Sequence, residues 1–194
     1  MVRKANTDAL PVYTIGHSNV PIARLITLLK DSGIEALVDV RSRPFSSYVP
    51  QFNKQNVEKT LEEAGISYTF LGDRLGGYPS DATCYSVDPK TGQRKPDYDV
   101  IAGKPWFKAG LDELSQIAKA TKTALMCSEE EPGKCHRHRL IAKALSSRGF
   151  QVLHIRGTGT VQLAAFDTPA ASHTGPAAGI GPRQNSLFSE GMSR

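Results

Sequence analysis

The sequence predicts an α/β fold: one domain on a mainly parallel, five-stranded sheet flanked by helices, a Rossmann-like three-layer arrangement. Three observations lead there. Short apolar runs alternate with segments of helical periodicity, in the order β-α-β-α-β-α-β-α-β. Three of those runs end in a polar cluster, namely Gly16-His17-Ser18, Arg41-Ser42-Arg43-Pro44 and Cys127-Ser128-Glu129. In an open parallel sheet the carboxyl ends of the strands share one edge, where ligands bind, so one pocket can collect all three. Finally, 194 residues with 39% hydrophobic content suit a single core plus a tail. The domain is expected over residues 11–163 and a flexible tail over 164–194.

The elements follow in order. The first strand is Val12-Tyr13-Thr14-Ile15. A helix then begins near Pro21, capped by Ser18 or Asn19, with Ile22, Leu25, Ile26 and Leu29 on one face and Gly33 as its stop. Residues 36–40 form the second strand. After a loop, Asn53 caps a helix that turns Val57, Leu61 and Ala64 inward and stops at Gly65. The third strand spans 67–71. Residues 72–104 are irregular and rich in Gly, Pro, Asp and Lys, far longer than the ~4–6 residues of an ordinary connection, which marks a functional or mobile loop. Helical spacing returns with Phe107, Leu111, Leu114 and Ala118. The fourth strand is 123–126, a helix covers 135–148, and the fifth strand is 151–155. From Ala164 on, Ala, Gly, Pro and Ser dominate, too little apolar surface to offset the entropy of ordering.

Net charge is +5, with a sequence pI near 9.2. From Phe166 on, Asp167 and Glu190 balance Arg183 and Arg194, so the excess belongs to the domain and favours anionic partners, phosphates or nucleic acid. No apolar segment follows the first residues and no long apolar run occurs, so the expectation is a cytoplasmic protein that does not enter a membrane. Cys84, Cys127 and Cys135 are too few and odd in number for a disulfide framework and read as free thiols.

Candidate chemistry concentrates in residues 127–137, a loop from a strand end to a helix start, where unpaired N–H groups favour anions. Arg137 shares a helical face with Leu140, Ile141 and Ala144 and should point to the sheet, whereas Arg139 and Lys143 face water. Glu129, two residues beyond the strand, is a candidate nucleophile or general base toward a sugar carbon; the alternative is that it caps the helix with Glu130 and Glu131. Arg41 and Arg43 form a candidate clamp for phosphate or carboxylate, unless Asp39 or a nearby Glu pairs with one of them. His17 either shuttles protons or ties two loops together. Ser18, Gly76, Cys127 and His136 complete the expected ligand-binding set. Tyr48, Phe52, Tyr78 and Tyr85 flank these loops as stacking candidates. Cys127, Cys135 and His136 are conceivable metal ligands, but their spacing matches no standard zinc finger, so neither metal nor cofactor is expected.

Together, Thr14-Ile15-Gly16-His17-Ser18, Asp39-Val40-Arg41-Ser42-Arg43-Pro44, Leu71-Gly72-Asp73-Arg74-Leu75-Gly76-Gly77 and Cys127-x-Glu129 leading to Cys135-His136-Arg137 resemble the bacterial family called domain of unknown function 488. The resemblance runs from about residue 13 to residue 155. It implies an α/β fold in which these clusters form a shared site, and it identifies no substrate. Separately, Gln184-Asn185-Ser186-Leu187-Phe188 resembles the pentapeptide Gln-x-Ser/Asp-Leu-Phe by which bacterial replication and repair proteins bind the sliding clamp. Asn stands here where Leu is frequent. Leu187 and Phe188 would fill an apolar pocket while Gln184 supplies amide hydrogen bonds.

The leading expectation is therefore an enzyme acting on a nucleotide or nucleic acid, in DNA maintenance, with Arg41, Arg43 and Arg137 gripping the anion, Glu129 as nucleophile or base and His17 as proton partner. Two alternatives stand beside it. One is a non-catalytic module that binds a nucleotide or modified base and is recruited to the clamp; the other is a thiol or metal enzyme built on Cys127 and Cys135.

Overall fold

The computed structural model describes residues 9–166. Its elements are β1 (Pro11–Gly16), α1 (Ile22–Asp31), β2 (Ala36–Asp39), α2 (Lys54–Glu63), β3 (Ser67–Phe70) and the single turn α3 (Gly72–Leu75). There follow β4 (Tyr85–Val87), β5 (Arg94–Pro96), α4 (Tyr98–Gly103), α5 (Pro105–Ala120) and β6 (Thr123–Cys127). A π-helical segment (Arg137–Ala142) runs directly into α6 (Lys143–Ser147), and β7 (Gln151–Ile155) and β8 (Val161–Leu163) close the fold.

The main sheet has the order β3-β2-β6-β1-β7-β8. Pairing is parallel from β3 to β7. The expected five parallel strands are thus present, and a sixth, β8, is added antiparallel to β7. Because β6 inserts between β1 and β2, the loops after those three strands are neighbours. Register aligns their ends: Gly16 lies opposite Cys127, and Asp39 opposite Met126.

Helices cover both faces because the central strands are apolar on both sides. Val38, Val40, Leu125 and Cys127 join one core with Phe107, Leu111, Leu114, Leu140 and Ile141. Leu37, Ala124 and Met126, on the alternate positions, join the other with Leu25, Leu29, Phe52, Val57 and Leu61. Consequently Asp39 sits on the α1/α2 side of the sheet and Cys127 on the α5 side.

Several local expectations need correction. Pro21, not Ser18 or Asn19, occupies the N-cap of α1, with no side-chain cap. Ser18 is instead held in the left-handed region at φ 47°, and its N–H donates to the Ser128 carbonyl. Asn53 does sit at the N-cap of α2, yet its Oδ1 accepts from the Ser46 N–H and so ties down the preceding loop. The stretch 72–104 is largely ordered as α3, the β4–β5 hairpin and α4. The folded chain extends through Ala164, whose N–H donates to the Val152 carbonyl, to Phe166, whose ring stacks on His138 at 5.0 Å. Residues 167–194, including the clamp-like peptide, lie outside the described residues.

Candidate functional site

The loop that follows β6 is held from beneath by Arg137, which is fully buried. Its Nη1 donates to the Glu129 carbonyl, its Nη2 to the Glu130 carbonyl at 2.7 Å and its Nε to Thr14 Oγ1 at 3.2 Å. Thr14 Oγ1 then has its own proton to give, and His154 Nδ1 receives it at 2.7 Å. That leaves the His154 proton on Nε2, facing His138 Nδ1 at 3.0 Å. Burial, reinforced by His138, Arg137 and Arg156, keeps His154 neutral, its pKa lowered to about 4. Of three consecutive glutamates, Glu130 and Glu131 both bind Arg156, at 2.9 and 2.8 Å. Only Glu129 keeps its carboxylate out of an ion pair.

Across the sheet, Asp39 is wholly buried. Its carboxylate accepts from Arg41 Nε at 2.9 Å, Arg41 Nη2 at 2.6 Å and the Tyr68 hydroxyl at 2.8 Å. Burial and the adjacent Asp39 push the Tyr68 phenol up. The third guanidinium nitrogen of Arg41 donates to His17 Nε2 at 3.1 Å. The imidazole proton therefore lies on Nδ1 and goes to the Ser18 carbonyl at 2.7 Å. His17 also stacks on Phe52, ring centroids 4.1 Å apart. Its pKa is lowered to about 4, by burial first and the Arg41 charge second.

Between these two supports opens a cleft of ≈ 780 Å³ at the carboxyl edge of β2 and β6. Cys127, Cys135 and His136, all buried, lie along it. Their ligand atoms are within 4.8 Å of one another. His136 Nδ1 is 3.7 Å from Cys127 Sγ and 3.8 Å from Cys135 Sγ, while Nε2 is 3.0 Å from the Val40 carbonyl. Since a carbonyl only accepts, Nε2 bears the proton and the Nδ1 lone pair faces both sulfurs. Gly77 makes room for this ring: a Cβ there would lie 2.7 Å from His136 Cγ. A hydrogen bond from Cys135, with backbone N–H groups of Glu129 and Ser128, pulls the Cys127 thiol down to about 7. Cys135, as the donating partner and buried, is pushed up to about 12.

The walls carry Arg43, Asp73, Tyr78, Tyr98, Lys134 and Glu129. Arg43 and Lys134 are exposed and form no ion pair among the described residues. Tyr78 is 70% exposed at the mouth.

The expected set therefore divides. Glu129, Arg43, Cys127 and His136 meet in the cleft. Arg41 borders it, but its guanidinium is consumed by Asp39 and His17. Arg137 does not line it at all, and the two arginines act on opposite faces of the sheet, so the expected clamp of Arg41 and Arg137 is not formed. His17 has both ring nitrogens engaged, which removes it as proton partner; it is the loop-tying histidine. Ser18 lies on the β1 side, bonded to the Ser128 carbonyl, and Gly76 backs the cleft by packing against Ser42. Phe52 is buried and stacked on His17, with no face open to a ligand. Cys135, Gly77, Tyr98 and Lys134 complete the site. The dipeptide Cys135-His136 at the start of a helix, following a strand that ends in Cys127, is the signal that marks the first of these, because such a helix start returns beside its strand end.

Fold and cleft define an α/β protein whose candidate site lies at the carboxyl edge of a parallel sheet. The family described as Domain of unknown function DUF488 matches residues 21–145, and the chain belongs to it. Comparison with curated proteins and comparison with solved structures each found no match. No helix among the described residues is long and apolar enough to cross a membrane.

Proposed function

We propose that the cleft is the working site of an enzyme acting on an anionic, ring-bearing ligand of the nucleotide class, in a mononucleotide or in nucleic acid. One observation carries this reading: Glu129, the only one of residues 129–131 whose carboxylate is left out of an ion pair, lines the same cleft as Arg43 and Lys134, two cations with no ion pair among the described residues. Arg43 and Lys134 supply the attraction for phosphate, Tyr78 a face for a base, and Glu129 a carboxylate for the reacting atom. Neither buried arginine is needed for this.

A thermal-shift titration with nucleoside monophosphates, the matching nucleosides and short single-stranded DNA tests it, because a ligand that binds only the folded state raises the melting temperature. Phosphorylated ligands should stabilise the protein and nucleosides should do so less, with the difference lost in Arg43→Ala/Lys134→Ala. Glu129→Gln should keep binding and lose turnover. Equal shifts for charged and uncharged ligands would defeat the reading, and binding without any turnover in the wild type would reduce it to a recognition module. Supported by its sequence alone, the segment Gln184-Asn185-Ser186-Leu187-Phe188 is proposed to dock this enzyme on the sliding clamp, placing it in DNA maintenance. Calorimetric titration of the purified clamp should detect the wild-type chain and not Leu187→Ala/Phe188→Ala; equal binding by both would remove the clamp from the account.

A further inference from the structure

We propose that Cys127, Cys135 and His136 hold one borderline-soft divalent cation of the zinc class, with a fourth coordination position open to the cleft. Two thiols and one imidazole form the donor set that such an ion prefers over calcium or magnesium. The two sulfur-to-nitrogen spacings also fit, and all three ligand atoms lie within 4.8 Å of one another. Tetrahedral zinc with bonds of about 2.3 Å to sulfur and 2.0–2.1 Å to nitrogen separates its sulfur and nitrogen ligands by about 3.6 Å. Here the two sulfur-to-Nδ1 distances are 3.7 and 3.8 Å.

Three further features belong to a built site rather than to a chance cluster. The imidazole is oriented by its other nitrogen, whose N–H donates to the Val40 carbonyl, the arrangement by which metal-binding histidines are commonly fixed. Gly77 leaves the ring its space, since any side chain there would strike it. The three residues come from two elements locked to each other, Cys127 from the end of β6 and the Cys135-His136 pair from the start of the following helix, with Arg137 securing the loop between them. All three are buried and yet border the cleft, so the remaining position faces incoming ligand. A structural zinc site is closed by four protein ligands, whereas three ligands and a cleft leave room for water or a substrate oxygen. Glu129, exposed on the same wall, stands as the base for such a water.

The assignment rests on the three ligand atoms and stays intact if the nucleotide reading fails. It is tested on the full-length chain, reduced, stripped with a chelator and titrated with Co²⁺ and then Zn²⁺. About one equivalent of Co²⁺ should bind, with thiolate-to-cobalt charge-transfer absorption and the visible bands of a tetrahedral ion, and Zn²⁺ should displace it. Cys127→Ser and Cys135→Ser should each remove a large part of the charge-transfer intensity and weaken binding about 100-fold or more. Cys84→Ala, altering a cysteine in the core away from the cleft, should change neither. Near-ultraviolet circular dichroism of each variant separates loss of ligands from loss of fold. If a folded, reduced wild type takes up no cobalt, or if uptake persists in Cys127→Ser/Cys135→Ser, there is no such site. Two missing thiols in the protein as purified under non-reducing conditions, recovered by dithiothreitol, would overturn it in favour of a Cys127–Cys135 redox pair.

Discussion

Arg137 and Arg43 stand at the same edge of the sheet and have opposite fates. Arg137 is fully buried and gives its guanidinium to two loop carbonyls and a threonine; Arg43 is exposed and gives its to nothing in the described chain. Burial forces every donor of a guanidinium to be satisfied within the protein, so a buried arginine is an architectural bolt. An exposed one on a concave wall remains free for a ligand. The contrast teaches that an arginine's place near a strand end says little until its donors have been counted.

The comparison breaks most readily at Arg137. Arg137→Met should orphan the Glu129 and Glu130 carbonyls and destabilise the fold by about 3–5 kcal/mol in a urea titration. A loss below about 1 kcal/mol would mean that the loop stands without it.

Next in size is Asp39→Asn, which strands the buried Arg41 charge. We expect a loss of about 3 kcal/mol, of which Asp39→Asn/Arg41→Met should recover a substantial part, since a vacated ion pair harms less than a broken one. Additive losses in that cycle would dissolve the pairing.

A smaller and conditional effect belongs to His154, faced by His138, Arg137, Arg156 and Glu131. Its pKa is lowered to about 4, against 6.5 when unfolded, so the unfolded chain binds the extra proton between those values. The contribution is complete above pH 6.5 and is lost as pH falls through about 4, amounting to on the order of 3 kcal/mol. His154→Gln should flatten the acid side of a stability-versus-pH curve; an unchanged slope would assign that slope to another group.

Smallest of all is Arg43→Ala. Stability should move by no more than about 0.5 kcal/mol while the phosphate-dependent thermal shift shrinks. A marked destabilisation would show that Arg43 is structural after all, and the contrast with Arg137 would vanish.

Much of the architecture was legible along the chain because each central strand is an apolar run and each major helix carries a 3.6-residue stripe. The slot of β6 between β1 and β2 was not, since nothing local records which strand lies beside which. β8 carries little signal because Val161-Gln162-Leu163 is only three residues long, too short for its apolar–polar–apolar alternation to distinguish a strand from a loop. Within the site, strand ends predicted where Glu129 and Arg43 would stand. The error over Arg41 and Arg137 was one of orientation: Asp39 was visible as a rival partner for Arg41, whereas the carbonyls that absorb Arg137 carry no mark in the side-chain sequence. Cys135 and His136 could be placed near Cys127, but the room that Gly77 leaves for the imidazole depends on a loop far away in the chain.

The bonds that assemble this edge span very large separations, 123 residues from Arg137 to Thr14, 140 from His154 to Thr14 and 96 from His136 to Val40. Contacts that close such long loops form slowly and late, after local helices and turns have already appeared. The support of the cleft thus reaches beyond the residues that line it: a chain ending before β7 has the cysteines but not His154 to hold Thr14, and with it Arg137, in place. A ligand-induced signal from this cleft therefore reports on the seating of β7 as well, although every residue that lines the cleft lies before that strand.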